Sequence, residues 1–163
     1  MLNRPTAAYD RFLGALSNIL TKAEAHCEAK GIKPEALLQF RLYPDMFPLV
    51  KQVQLACDFA ARAAARLAGQ DPASFPDTET SFAELQGRIA AARGYIDGFA
   101  DAAYDGWANR EITLKVGGRD MTFSGEAFLL GYSLPQFHFH ATTAYDILRH
   151  NGVEIGKRDY MGA

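Results

Sequence analysis

The residues of this chain best suited to chemistry gather in residues 135–151, PQFHFHATTAYDILRHN, which hold three of its four histidines. His138 and His140, separated by one residue, look like a chelating pair. On a helix they are not one, because two steps turn about 200° and the two rings face opposite sides. His150 lies about 15 Å beyond His140 along the axis, too far to share an ion with it. His138 aligns with Thr142, Tyr145 and Arg149 in a polar stripe, whereas His140 aligns with Thr143, Ala144 and Ile147 and looks inward. Two readings stand for His140. It is either a core histidine hydrogen-bonded to a carboxylate or carbonyl, or a pocket ligand or general base.

A carboxylate would be the natural partner of such an imidazole. Asp58 interrupts the alanine-rich run CDFAARAAARLAG and has two possible uses. It can pair with Arg62 one helical turn on. Alternatively it faces His140 across the interior, where it would orient the ring or help to hold a divalent metal. One histidine and one carboxylate make a poor metal site unless Gln54, Tyr145 or a substrate completes the set. In the catalytic version His140 is base or metal ligand, Asp58 its partner, and Tyr145 a substrate contact. His26, on the apolar face of the first helix, is a weaker candidate for the same pocket.

Helices must position these groups. From about Thr6 to Lys30, Tyr9, Leu13, Leu16, Leu20, Ala23 and Cys27 recur at helical spacing, and Gly31 supplies the stop. A short turn from Pro34 leads to a second long helix. It is predicted to be capped by Asp45, to carry Pro48 in its first turn, and to run to Leu67 or Ala68. The segment GQDPASFPDTET reads as a surface loop. Ser81 and Glu84 form a capping box for a third helix that continues to about Phe99. Ile112, Leu114 and Val116 then alternate, Gly117-Gly118 makes a turn, and Arg119 to Phe123 returns as a second strand. The fourth long helix is predicted to begin at Pro135 and to stop at Asn151-Gly152. The pattern is an all-α four-helix bundle with a small β-hairpin inserted between helices 3 and 4, in a single domain over residues 1–163. The long connections before helices 2 and 4 leave room for a non-sequential arrangement.

Composition narrows the function. A formal net charge of -2, without any stripe of Lys and Arg interleaved with aromatics, argues against a nucleic-acid or anionic-membrane partner. Cys27 and Cys57 lie in helical patterns without CxxC spacing and read as buried hydrophobes in a reducing compartment. With neither a signal pattern nor an apolar run of about 18 residues, the expected location is the cytoplasm. GxGxxG, Walker, GxSxG and HExxH motifs are all missing from the sequence.

The segments HFHATTAYDILRHNGVEIGKRDYMG, LYPDMFPLVKQVQLACDFA and SFAELQGRI together resemble an uncharacterised branch of the DinB-like (YfiT-type) superfamily. The resemblance covers nearly the whole chain. It implies a four-helix bundle, often a homodimer, and in many relatives a divalent metal held by one histidine on the second helix and an HxxxH pair on the last. This chain departs from that pattern. Ala144 stands four residues after His140, Thr142 stands four after His138, and the second helix has no histidine, only Asp58. The implied metal set therefore reduces to His140 with Asp58. The expectation is a small-ligand-binding or structural homodimer lacking the full triad. The alternative is a metal-dependent small-molecule enzyme, thiol-transferase-like or hydrolytic, that uses His140 with Asp58.

Overall fold

The computed structural model describes residues 4–162. Four long helices form the frame: α1 (Ala7–Lys30), α3 (Leu49–Leu67), α4 (Phe82–Asp97) and α6 (Leu134–His150). Shorter helices α2 (Pro34–Leu38), α5 (Gly125–Phe128) and α7 (Lys157–Met161) and the strands β1 (Glu111–Val116) and β2 (Arg119–Ser124) complete it. Around the bundle the order is α1, α4, α3, α6, so α1 and α3 are diagonal to each other, as are α4 and α6. The connection over residues 31–48 and the hairpin-bearing connection over residues 98–133 each carry the chain across a diagonal. The arrangement is non-sequential, and length explains it, since a crossover between diagonal helices needs more chain than a turn between neighbours.

Local chemistry sets the helix ends. Gly31 closes α1 with φ 64°, and the amide of Ile32 donates to Cys27 O while that of Gly31 donates to Glu28 O. That pairing satisfies two of the last carbonyls of the helix. Ser81 and Glu84 form the expected box, with Glu84 N donating to Ser81 Oγ at 3.2 Å and Ser81 N to Glu84 Oε2 at 3.1 Å.

Two predicted starts are corrected. The second long helix begins at Leu49, with Pro48 as its extended N-cap (ψ 166°), and Asp45 lies in a separate turn closed by Met46 N to Tyr43 O. The proline ring keeps Phe47 out of the helical region, so the helix cannot start before Pro48. The last long helix has no free start at Pro135. It continues from α5 through a wide π turn over Leu129–Ser133. Pro135 has no N–H to return to the preceding turn, and widening that turn accommodates the missing bond.

α3 is the innermost helix. Fourteen of its nineteen residues are buried, and six of those fourteen, from Ala56 to Ala65, are alanines. Small side chains let α4 and α6 approach it closely, while the larger groups of α1 and α6 (Tyr9, Leu13, Ile19, Phe137, Ile147) fill the remaining volume. The hairpin pairs Glu111 with Ser124 through Val116 with Arg119, and Gly117 and Gly118 (φ 57° and 82°) make its turn. It is anchored by buried Ile112 and by Phe123, which meets Phe128 and Tyr132. The tail folds back onto the bundle. Ile155 is buried, Tyr160 is half-buried, and Lys22 Nζ lies 2.5 Å from Asp159 Oδ1. No helix among the described residues is long and apolar enough to cross a membrane.

The entry to α5 is the tightest point of the fold. A Cβ on Gly125 would lie 1.8 Å from Trp107 O, a backbone atom that cannot swing away. Gly125→Ala should therefore cost about 3 kcal/mol or more. Gly131→Ala, in the neighbouring turn where a Cβ meets nothing within 4 Å, should be neutral or stabilising by up to about 1 kcal/mol. Urea denaturation of the two variants checks the contrast.

Candidate functional site

His140 projects from α6 toward α3 and is 8% exposed. Its Nδ1 lies 2.7 Å from Gln52 Oε1. The other end of that amide is also committed, since Gln52 Nε2 donates to Phe47 O at 3.1 Å. A carbonyl only accepts, so the amide orientation is fixed with its oxygen toward the histidine. Nδ1 must then carry the proton, which leaves the lone pair on Nε2. Phe59 of α3 stacks on the imidazole at 5.6 Å with 13° between the planes, and Phe139 meets it edge-on at 5.2 Å. Among the described residues nothing bonds Nε2. It is not sealed in either, because the fully enclosed side-chain polar atoms without a partner are Arg88 Nε and Tyr104 Oη. His140 is thus a core histidine held by a side-chain carbonyl, with one nitrogen still able to accept a bond from outside.

Burial, with a smaller contribution from the Lys51 charge, lowers the His140 pKa to about 4. The ring is neutral at pH 7. A base this weak is poorly matched to proton abstraction near neutrality, where the effective catalytic pKa lies close to the working pH. It remains a good hydrogen-bond acceptor.

Asp58 does not meet His140. Its Oδ2 accepts from Arg62 Nη2 at 2.8 Å, the one-turn pair expected on α3, and its Oδ1 accepts from Arg88 Nη2 at 2.6 Å. Around α3, Asp58 lies roughly 120° from Gln52, which turns it toward α4 and away from α6. Arg88, only 4% exposed, also donates to Pro76 O at 2.9 Å and Glu79 Oε1 at 3.1 Å and reaches Asp77 Oδ1 at 3.2 Å. Gln54 Nε2 donates to Glu79 Oε2 and Lys51 Nζ to Asp77 Oδ2. This network straps the loop over residues 70–81 to the bundle. Removing one partner of such a buried pair costs about 3–5 kcal/mol, because the other charge is left uncompensated.

The divalent metal implied by the resemblance does not fit these residues. Both Asp58 oxygens hold guanidinium groups, Gln54 is bound to Glu79, and no group of three His, Cys, Asp or Glu among the described residues could hold an ion. Tyr145 is elsewhere too, packed edge-on against Tyr160 at 6.0 Å. His138 faces the same tail residue. Its Nδ1 is 3.0 Å from Tyr160 Oη, which also accepts from Thr142 Oγ1. His26 lies by Gly152, beyond the end of α6 and away from His140. Cys57 is inert, its thiol pushed up to about 12 chiefly by burial.

Sequence reasoning missed Gln52, Arg88 and Glu79. A signal existed, since Arg88 sits between Leu85 and Ile89 on the apolar face of α4, just after a loop bearing Asp77 and Glu79. Gln52 sits among the core positions Leu49, Val53 and Ala56.

A family described as "Domain of unknown function (DUF1993)" matches residues 5–161. The chain belongs to this family. A crystal structure described as a DinB family member protein from Shewanella denitrificans superposes with a TM-score of 0.90 at 41% identity. The match covers 97% of this chain and 89% of that one. No curated protein matches. The DinB-like helical bundle is thereby shown, and this DUF1993 member combines it with a histidine fixed by an amide.

A neutral buried histidine makes stability depend on pH. The folded pKa of about 4 lies below the ordinary histidine value of 6.5, so below pH 6.5 the unfolded chain takes up the proton first. The contribution is fully present above pH 6.5 and is lost as pH falls toward 4, by at most about 3 kcal/mol. Urea denaturation from pH 7 to pH 4 should show wild type losing more stability than His140→Gln. Equal losses would place the His140 pKa near its unfolded value.

Proposed function

We propose that the protein binds a small ligand carrying a hydrogen-bond donor, which His140 Nε2 accepts while Phe59 and Phe139 wall the bound group. The supporting observation is the chain of bonds from Phe47 O through Gln52 to His140 Nδ1, which leaves the lone pair on Nε2. A histidine that served only to fill the core would not need a free acceptor. Phe139, 56% exposed beside the ring, adds an apolar surface that an aromatic or planar ligand can cover.

The low pKa favours binding over catalysis. An acceptor that stays neutral across the physiological range reads a donor without taking its proton. Discrimination at such a site comes from the cost of leaving a buried polar group unpaired, so the site should prefer a donor-bearing ring to the same ring without one.

Phenol and toluene test this directly. By NMR titration, phenol should bind wild type more tightly than His140→Phe by about fivefold to tenfold, the worth of one hydrogen bond of about 1 kcal/mol. Toluene should bind the two proteins alike. Equal phenol affinities, or no shift of the His140 and Phe59 ring signals, would refute the proposal.

A further inference from the structure

A second cleft lies where the C-terminal end of α3 and the loop after it meet β1. Its volume is about 350 Å³, and it opens to solvent. Arg66, Arg110 and Lys115 face it along with Asp71 and Glu111, so cations outnumber carboxylates by three to two. It lies apart from His140, and nothing about it depends on the reading of that residue.

The three cations are not equivalent. Arg110 serves the fold: its guanidinium donates to Leu67 O, Ala103 O and Asp105 O, covering a carbonyl at the end of α3. Those neutral acceptors leave its charge unbalanced. Arg66 is half-buried, yet among the described residues it has neither a hydrogen bond nor an ion pair. The other arginines that are buried or half-buried all have acceptors: Arg4 with Asp101, Arg62 and Arg88 with Asp58, Arg93 with Asp10, and Arg110 with its carbonyls. Arg66 is the exception. Its position is also unfavourable for a structural charge, since burial and the neighbouring Arg62 act against it and outweigh the smaller opposing effects of Tyr132 and Asp71. Two cations four residues apart on one helix repel each other, and only Arg62 has its own carboxylate.

A guanidinium that is partly desolvated, unpaired, and turned into an open cleft beside two other cations matches an oxyanion, which it can bind through two parallel N–H donors. Ile112 and Leu114 line the same cleft and offer apolar contact to the body of the molecule that bears the anion. We infer that the cleft between α3 and β1 is a binding site for a small organic acid, with Arg66 gripping its carboxylate or phosphate group and Lys115 as a second cation.

Two probes separate the sources of that chemistry: benzoate as the carboxylate and phenyl phosphate as the phosphate. In amide NMR titrations at low ionic strength, at least one should give saturable shifts confined to residues 69–72 and 111–115, and the tighter binder identifies the group. Arg66→Gln should weaken that binding at least about tenfold, the loss of a two-pronged charged contact. Arg66→Lys, which keeps the charge without the planar fork, should fall between. Arg119→Gln, at the exposed hairpin turn, should titrate as wild type. Because Arg66 has no structural partner, Arg66→Gln should melt at or above the wild-type temperature, as expected where a charge is kept for binding at the expense of stability. If neither acid gives saturable shifts, or if Arg66→Gln binds as tightly as wild type, the inference is wrong. A clear fall in the melting temperature of Arg66→Gln would also overturn it, by assigning the residue to the fold.

Discussion

Everything distinctive about this bundle follows from burying α3 against its neighbours while leaving polar side chains on it. A helix inside a bundle offers its side chains little water, and an unmet amide or carboxylate there costs about 1–3 kcal/mol or more. Gln52, Gln54 and Asp58 are 1%, 5% and 6% exposed, so each must find a partner on a different neighbour. Gln52 takes His140 of α6, Gln54 takes Glu79 of the loop, and Asp58 takes Arg88 of α4. These three requirements fix the register of α6 and α4 against α3 and fasten the loop over residues 70–81. The alanines between them let the partners come close enough.

The same constraint shapes the candidate site. Asp58 is consumed by the demands of Arg62 and Arg88, so it cannot serve an imidazole or a metal ion. His140 is satisfied on one nitrogen by an amide whose orientation is set by a backbone carbonyl, and this decides which nitrogen keeps its lone pair. A carboxylate in place of Gln52 would favour the imidazolium, whereas an amide leaves the ring neutral and its pKa low. The second and third histidines of the resembling metal pattern have no counterpart in this chain. Among the described residues no group of three His, Cys, Asp or Glu stands together that could hold an ion.

Much of the architecture was legible in the sequence because the relevant signals are local. Helical spacing from Tyr9 to Cys27, the Ser81–Glu84 box and the Gly117-Gly118 turn each depend on a few neighbouring residues and appear where expected. The errors at Asp45 and Pro135 came from treating short-range signals as sufficient. Pro48 displaced one helix start through its effect on Phe47, and a π turn carried the other helix past its proline. The site was harder. Spacing placed His140 inward and set Asp58 beside Arg62, but which residue of another helix would meet each group is long-range information. The Gln52–His140 bond spans 88 residues and the Asp58–Arg88 pair spans 30. No periodicity reports such contacts, although an arginine on the apolar face of α4 hinted at the second.

The candidate site stands on the protonation of one ring. A long-range proton–nitrogen NMR spectrum of the histidines at pH 7 would show it directly. His140 is predicted to appear as the neutral tautomer with its proton on Nδ1 and an unprotonated Nε2, and to remain so down to about pH 5. A proton on Nε2, or an imidazolium at neutral pH, would mean that Gln52 does not hold the ring as described, and the free acceptor on which the site depends would not exist.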